Sequence, residues 1–247
     1  MIGRCCKRLK VEGDKFDRLT DLPIDVQHQI QEYLSREEAA RMGVLSRAWR
    51  HVFASIPKLV FSAQFCQRKP SDTLIDIIRT ILLQHDGTIK TFLLNMSSIP
   101  SSQHSIIDQW MLLLSRNGVM DLTLQNLHSA PYKLPSYVYG VELQSLSLSN
   151  CIFRAPCSFR GFHKLKKLSL HKVALELDNP TSFLWMPNLV VLLVRLCSGF
   201  PNLKIYAPEL CGICFVTWST ETLELGHFMD CRKLKTVILG TSRNNQR

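Results

Sequence analysis

One short pattern, Leu-x-x-Leu-x-Leu with apolar exchanges, recurs along the chain and limits what it can fold into more than any other feature. The matches are Ile89/Phe92/Leu94, Val119/Leu122/Leu124, Leu143/Leu146/Leu148, Leu165/Leu168/Leu170, Leu189/Leu192/Val194, Leu210/Ile213/Phe215 and Leu234/Val237/Leu239. From Leu146 the steps to Leu168, Leu192, Ile213 and Val237 are 22, 24, 21 and 24 residues. Apolar residues two apart mark one face of a strand. The same strand returning at a fixed interval marks stacked units, because a strand and its return segment cannot hide their apolar side alone.

This period falls inside the roughly 20–29-residue window of leucine-rich repeats. Cys151, Val173 and Cys197 follow three of the strands where that template wants a small buried residue. The first returns read as helices: Leu74, Ile77, Ile78, Ile81 and Leu82 share a face, as do Ile106, Ile107, Trp110, Met111 and Leu114. Later returns hold Pro131, Pro135, Pro156, Pro180 and Pro201, which predicts irregular or single-turn segments. Removing a repeat leucine such as Leu168 is expected to cost about 2–5 kcal/mol.

Before residue 60 the apolar spacing is helical. Val26, Ile30, Tyr33 and Leu34 share one face of a helix over 24–34, with Pro23 suited to its first turn. Ser35 and Glu38 form a capping box for a short helix through Ala39, Ala40 and Met42. Ser46 can cap a third helix carrying Trp49 and Phe53. The fold class is therefore a short three-helix module followed by a curved leucine-rich-repeat α/β solenoid with a parallel sheet. The expected organisation is a basic N-terminus over 1–14, the module over 15–60, the solenoid over 61–240 and a polar tail over 241–247.

Asp21-Leu22-Pro23, Ile30, Leu34, Ala40-Arg41, Val44-Leu45-Ser46-Arg47, Trp49-Arg50 and the closing Ile56-Pro57-Lys58-Leu59-Val60-Phe61 together resemble the F-box. That module docks substrate receptors onto Skp–cullin–F-box ubiquitin ligases. With the repeats, the chain is similar to the plant F-box/leucine-rich-repeat family, whose members often carry a further FBD domain. No such domain is expected in the residues present. The resemblance implies a non-catalytic substrate-recognition subunit that binds a Skp-type adaptor, and through it a cullin, by Leu22, Pro23, Ile30, Leu34, Val44, Leu45 and Trp49. A three-helix unit this small is not expected to bury Trp49, Phe53, Leu45 and Leu34 completely, and an exposed apolar cluster marks an interface. Met42, Gly43 and the polar run Gln31-Glu32-Tyr33 depart from the family pattern.

In the repeat strands the residues between the leucines face away from the core. This concave row runs Thr91/Leu93/Asn95, Asp121/Thr123/Gln125, Ser145/Ser147/Ser149 and Lys167/Ser169/His171, then Val191/Leu193/Arg195, Gly212/Cys214/Val216 and Thr236/Ile238/Gly240. Its first rungs are small and polar and its last are largely apolar. Val191, Leu193, Arg195, Cys214, Val216 and Ile238 are the candidate contacts for a target protein. The alternative is that a further C-terminal segment covers this end, since a solenoid needs a polar cap.

Bulk properties narrow the partners. The net charge of +10 admits nucleic acid, but the concave row holds only Asp121, Lys167 and Arg195 as charged residues, not a basic stripe. No apolar stretch reaches about 18 residues, so no membrane partner is expected. No signal-peptide pattern is present, and neither the myristoylation pattern nor palmitoylation of Cys5 and Cys6 is favoured. Nine cysteines then suggest reduced thiols in the nucleus or cytoplasm. Arg4, Lys7, Arg8 and Lys10 read as an import signal or simply a solvated terminus.

Cys211-x-x-Cys214 with His227 and Cys231 matches a zinc spacing, but the repeat register competes for the same residues, so no metal or cofactor is expected. His104, Ser105 and Asp108 lie on one candidate helix with no oxyanion loop and no further residue to orient them, as nucleophilic catalysis needs. The reading is thus a ligase substrate receptor acting by proximity. Its alternatives are a repeat scaffold without ligase function and a basic nucleic-acid binder.

Overall fold

A computed structural model describes residues 21–33, 47–176, 183–199, 204–218, 228–229 and 231–242. The chain divides into two compact units, Met1–Phe53 and Ala54–Arg247.

In the first unit, helix α1 spans Ile24–Tyr33 and α2 spans Arg47–Ala54. The carbonyl of Pro23 accepts from the amides of Val26 and Gln27 at 2.9 and 3.1 Å, so the proline opens α1 from just outside it. The expected middle helix, with Ser35 and Glu38, lies outside the described residues, as does Ser46. Of the apolar stripe expected on α1, Val26 is exposed and Ile30 is half-buried, while the Tyr33 side chain and Leu34 lie outside the described residues. Ile24 and Val26 are 44% and 38% exposed, whereas Gln27 and Gln31, one turn apart, are buried. On α2, Trp49 is buried at 4% exposure beside Val52. This corrects the expectation of an incompletely buried indole: hiding a side chain that large returns about 2–3 kcal/mol.

The second unit is a solenoid built on an eight-stranded parallel sheet. Its strands are β1 (Lys58–Phe61), β2 (Thr91–Asn95), β3 (Asp121–Gln125), β5 (Ser145–Ser149), β7 (Lys167–His171), β10 (Val191–Arg195), β12 (Gly212–Trp218) and β14 (Thr236–Ser242), paired in that order. Register aligns Leu59, Phe92, Leu122, Leu146, Leu168, Leu192, Ile213 and Val237 across it. Phe61, Leu94, Leu124, Leu148, Leu170, Val194, Phe215 and Leu239 form a second row.

All seven expected strands are present, preceded by an eighth. Ile56/Leu59/Phe61 has the repeat spacing, and all three residues are buried. Both rows are buried from β1 to β12, while Val237 and Leu239 on the end strand are 44% and 63% exposed. The last repeat supplies a strand without a closed core.

Behind the sheet, α3 (Ala63–Gln67) starts where the Ser62 side chain accepts from the Phe65 amide. The two long returns are helices, as their periodicity predicts: α4 (Ser71–Leu83) buries Leu74, Ile75, Ile78 and Leu82, and α5 (His104–Arg116) buries Ile107, Trp110, Met111 and Leu114. Gln103 ties their starts together, accepting from the Ser71 hydroxyl at 2.9 Å and donating to Asp72 at 3.3 Å.

Later returns are more regular than their prolines suggest. A 3-10 turn covers Ser136–Gly140. Short strands β4 (Tyr132–Lys133), β6 (Cys151–Phe153) and β8 (Ala174–Leu175) form one parallel ladder, and β9 (Phe183–Trp185), β11 (Lys204–Tyr206) and β13 (Phe228–Met229) form another. Close spacing of the returns demands glycine at two points. A Cβ on Gly161 (φ +135) would sit 2.0 Å from the Trp185 carbonyl oxygen, and one on Gly199 (φ +82) 2.2 Å from that of Leu175.

Candidate functional site

Each middle repeat leaves the sheet through the same turn. Asn150, Lys172 and Leu196 adopt left-handed φ values of 52, 54 and 54°. Their amides extend the ladder by donating to the carbonyls of His171, Arg195 and Val216 at 2.8, 2.8 and 2.6 Å. The next residue is then directed into the core: Cys151, Val173 and Cys197 are all buried. The Cys197 thiol donates to the Arg195 carbonyl at 3.4 Å and accepts from the Val173 amide. Burial pushes the Cys151 thiol up to about 12 and the Cys66 thiol up to about 11, so both are inert packing groups. One repeat earlier, Asn126 fills this role. Its amide donates to the carbonyls of Ala130 and Asn150, both at 2.9 Å, and its oxygen accepts from the His128 amide.

This turn fixes what the outer face of the sheet presents. The alternating residues of β2, β3, β5, β7, β10, β12 and β14 stand in register there. Thr91 donates to the Asp121 carboxylate at 3.1 Å, and Asn95 donates to Gln125 at 3.2 Å. Asn95 is itself buried, and its oxygen is satisfied by accepting from the amide and hydroxyl of Ser97. Ser149 and His171 share a hydrogen bond of 3.2 Å. Partial burial, then the nearby cations Lys172 and Arg195, hold the His171 imidazole below its ordinary pKa.

Of the residues proposed to meet a target, Val191, Leu193 and Val216 are half-buried, Arg195 is exposed and Ile238 is 55% exposed. Cys214 is buried at 7%, held between its in-register neighbours Leu193 and Ile238, so little of it reaches the surface. In the helical unit, Leu22 and Ile30 are half-buried, Pro23 is exposed and Trp49 is buried. Leu34, Val44 and Leu45 lie outside the described residues.

The structure describes three residues of the zinc spacing and all three of the catalytic spacing. The Cys211 thiol donates to the Glu209 carbonyl and Cys214 belongs to β12, while His227 lies outside the described residues. Among the described residues no three His, Cys, Asp or Glu side chains are grouped to hold a metal ion. Asp108 accepts from the Tyr132 hydroxyl at 2.6 Å, His104 packs edge-on against the Tyr132 ring, and Ser105 is exposed. Periodicity alone gave no sign of this Asp108–Tyr132 link, which joins a helix to a residue 24 positions later. No helix among the described residues is long and apolar enough to cross a membrane.

Comparison with known proteins bears on both units. The F-box domain family matches residues 19–61, and the family described as "At1g61320/AtMIF1, LRR domain" matches residues 81–205. An F-box/FBD/LRR-repeat protein of Arabidopsis thaliana is 34% identical over 168 residues, covering 65% of this chain and 39% of the relative. An F-box/LRR-repeat protein of the same plant is 32% identical over 133 residues, covering 48% of this chain and 40% of the relative. A putative F-box/FBD/LRR-repeat protein is 26% identical over 205 residues, covering 77% of this chain and 40% of the relative. The chain thus spans about two fifths of the length of these relatives. No solved structure matches it.

Proposed function

The chain belongs to the F-box/leucine-rich-repeat proteins of plants, and from that premise we propose that it is a substrate-recognition subunit of a Skp–cullin–F-box ubiquitin ligase. The observation that carries this reading is the inversion of α1. The helix turns Gln27 and Gln31 inward and leaves Ile24 and Val26 exposed beside the exposed Pro23, within the residues that match the F-box. A helix that hides two amides and shows two of its apolar side chains to water is arranged for a partner. In this reading the partner is a Skp-type adaptor, met by Leu22, Pro23, Ile30, Leu34, Val44 and Leu45, with Trp49 holding α2 in position behind them.

The solenoid then holds a target protein on its outer face, with Val191, Leu193, Arg195, Val216 and Ile238 as contacts and Cys214 packed beneath. The receptor itself makes and breaks no bonds. It raises the effective concentration of a target lysine at a conjugating enzyme carried by other subunits. The division of labour, expected at residue 60 between a module over 15–60 and a solenoid over 61–240, falls before Lys58, where the first strand of the solenoid sheet begins. Free thiols among the described cysteines suit the nucleus or cytoplasm, which a fluorescent fusion in plant cells would test.

The deciding experiment is co-purification of a Skp-type adaptor with the wild-type chain and with Leu22→Ala/Pro23→Ala. The double variant is expected to lose the adaptor while its circular dichroism stays that of the wild type. Retention of the adaptor at the wild-type level would overturn the docking assignment.

A further inference from the structure

Three basic side chains of the solenoid are held in ion pairs. Arg79 pairs with Asp76, Lys164 with Glu142 at 2.7 Å and Lys233 with Glu209 at 2.6 Å, all on helices or return segments. Lys167 and Arg195 stand instead on the outer face of the sheet. Among the described residues neither side chain has an ion-pair or hydrogen-bond partner. No outer position of β5, β7 or β10 carries a carboxylate, and Asp121 on the adjoining β3 already accepts from Thr91.

The surroundings of these cations are specific. Arg195 lies in register with His171, on a neighbouring strand about 4.8 Å away. His171 in turn shares a hydrogen bond with Ser149. Leu193, two residues before Arg195, and Val216, its partner on β12, put half-buried apolar surface beside the guanidinium. Lys167 stands four residues before His171 on the same strand, roughly 13 Å along it. Ser169 lies between Lys167 and His171 with Ser147 beside it on β5, and these small side chains let a backbone approach the sheet closely.

We infer that this face, across β7 and β10, seats an extended acidic segment of the partner protein. One carboxylate meets Arg195 and His171, a second about four residues away meets Lys167, and an apolar side chain between them rests on Leu193, with Val216 flanking the first carboxylate on β12. Arginine suits the first position because its planar fork takes a carboxylate through two hydrogen bonds. Because neither cation has an ion pair among the described residues, docking breaks none of the ion pairs found there. The inference rests on the receptor reading only in assigning this face to the target.

The test uses the full chain and a fluorescein-labelled Gly/Ser peptide carrying two glutamates four residues apart with a leucine between them, followed by anisotropy. Lys167→Glu/Arg195→Glu is expected to weaken binding by about ten-fold or more. Lys133→Glu/Arg116→Glu makes the same change in net charge on a back strand and on α5, and is expected to weaken it by less than about three-fold. The milder Lys167→Gln/Arg195→Gln is expected to fall between, and guards against a charge reversal that disturbs the sheet. Equal losses in the two charge-reversed proteins, or a loss in neither, overturn the inference. So does a single-stranded oligonucleotide that displaces the peptide more readily than unlabelled peptide does. Adaptor co-purification separates the two readings: peptide binding that fails with the adaptor retained defeats this inference alone, and the reverse defeats docking alone.

Discussion

The Tyr132 hydroxyl donates to the Asp108 carboxylate at 2.6 Å, joining α5 to the return segment of the next repeat. Tyr132 is buried at 1% exposure, so its hydroxyl cannot turn to solvent for a replacement. Burial first, and then the carboxylate it faces, raise its pKa well above the ordinary phenol value. The Tyr137 hydroxyl donates to the backbone carbonyl of the same residue. Asp108 is thus a junction between a helical return and the extended returns that follow.

Tyr132→Phe keeps the ring and its edge contact with His104 but removes the only donor on that side chain. A hydrogen bond to a charged group is worth about 1.5–3 kcal/mol, and the variant should lose an amount in that range. Equilibrium denaturation by urea is the measurement. A loss below about 0.5 kcal/mol would mean that water replaces the phenol at Asp108 without cost.

The repeating left-handed turn gives a prediction of the opposite sign. Asn150 accepts this conformation readily, whereas Leu196 adopts φ 54° with a branched side chain. Leu196→Asn keeps the amide that donates to Val216 and relieves a conformation costing roughly 1–2 kcal/mol. Leu196 is half-buried, so lost apolar contact offsets part of the gain. A net increase of about 0.5–1 kcal/mol is expected, read as a raised urea midpoint at unchanged slope. A lowered midpoint would show that the leucine's packing outweighs its backbone strain.

These turns also mark how far the sequence could be read. Leucine spacing located seven strands and their inward rows, because alternation within a strand and repetition between strands are both visible in one dimension. The eighth, Ile56/Leu59/Phe61, has the same spacing, but those residues also close the F-box pattern, and that pattern claimed them. The inward face of α1 was not legible. Val26, on the stripe expected to pack, is exposed and Ile30 only half-buried, and nothing in the spacing says that Gln27 and Gln31 are the side chains that turn inward. On the outer face the row itself followed from alternation. The burial of Asn95 and Cys214, and the Ser149–His171 hydrogen bond, depend on cross-strand register that a single sequence does not contain.

Acid should weaken the solenoid through two histidines. His104 is held below its ordinary value by burial, then by His128, with Asp108 opposing. His171 is held down by burial, then by Lys172 and Arg195. A folded-state pKa below the unfolded one means that the unfolded chain binds more protons as pH falls through about 6.5. The stabilisation is therefore complete above that value and is lost toward the lower folded-state values. Unfolding midpoints at about pH 7.5 and about pH 5.5 should fall less between the two conditions in His104→Phe/His171→Gln than in the wild type. An equal fall in both proteins would assign the acid sensitivity to other groups.

Position in the stack should set the cost of losing a core residue. Leu168 sits on β7 between Leu146 and Leu192, is 5% exposed and is enclosed on both sides. Val237 occupies the same row on β14, pairs only with Ile213 among the described residues and is 44% exposed. Truncating Leu168 to Ala leaves a cavity that neighbouring strands, held by their own ladders, cannot collapse to fill, and should cost about 2–5 kcal/mol. Val237→Ala removes surface that water already reaches and should cost less than about 1 kcal/mol. Because nearest-neighbour interfaces hold such a stack together, the central truncation should also uncouple the repeats on either side of β7. Hydrogen exchange would register that as faster exchange in β5 and β10 than in β2. Equal costs for the two variants, or exchange raised uniformly along the sheet, would show that the solenoid unfolds as one block.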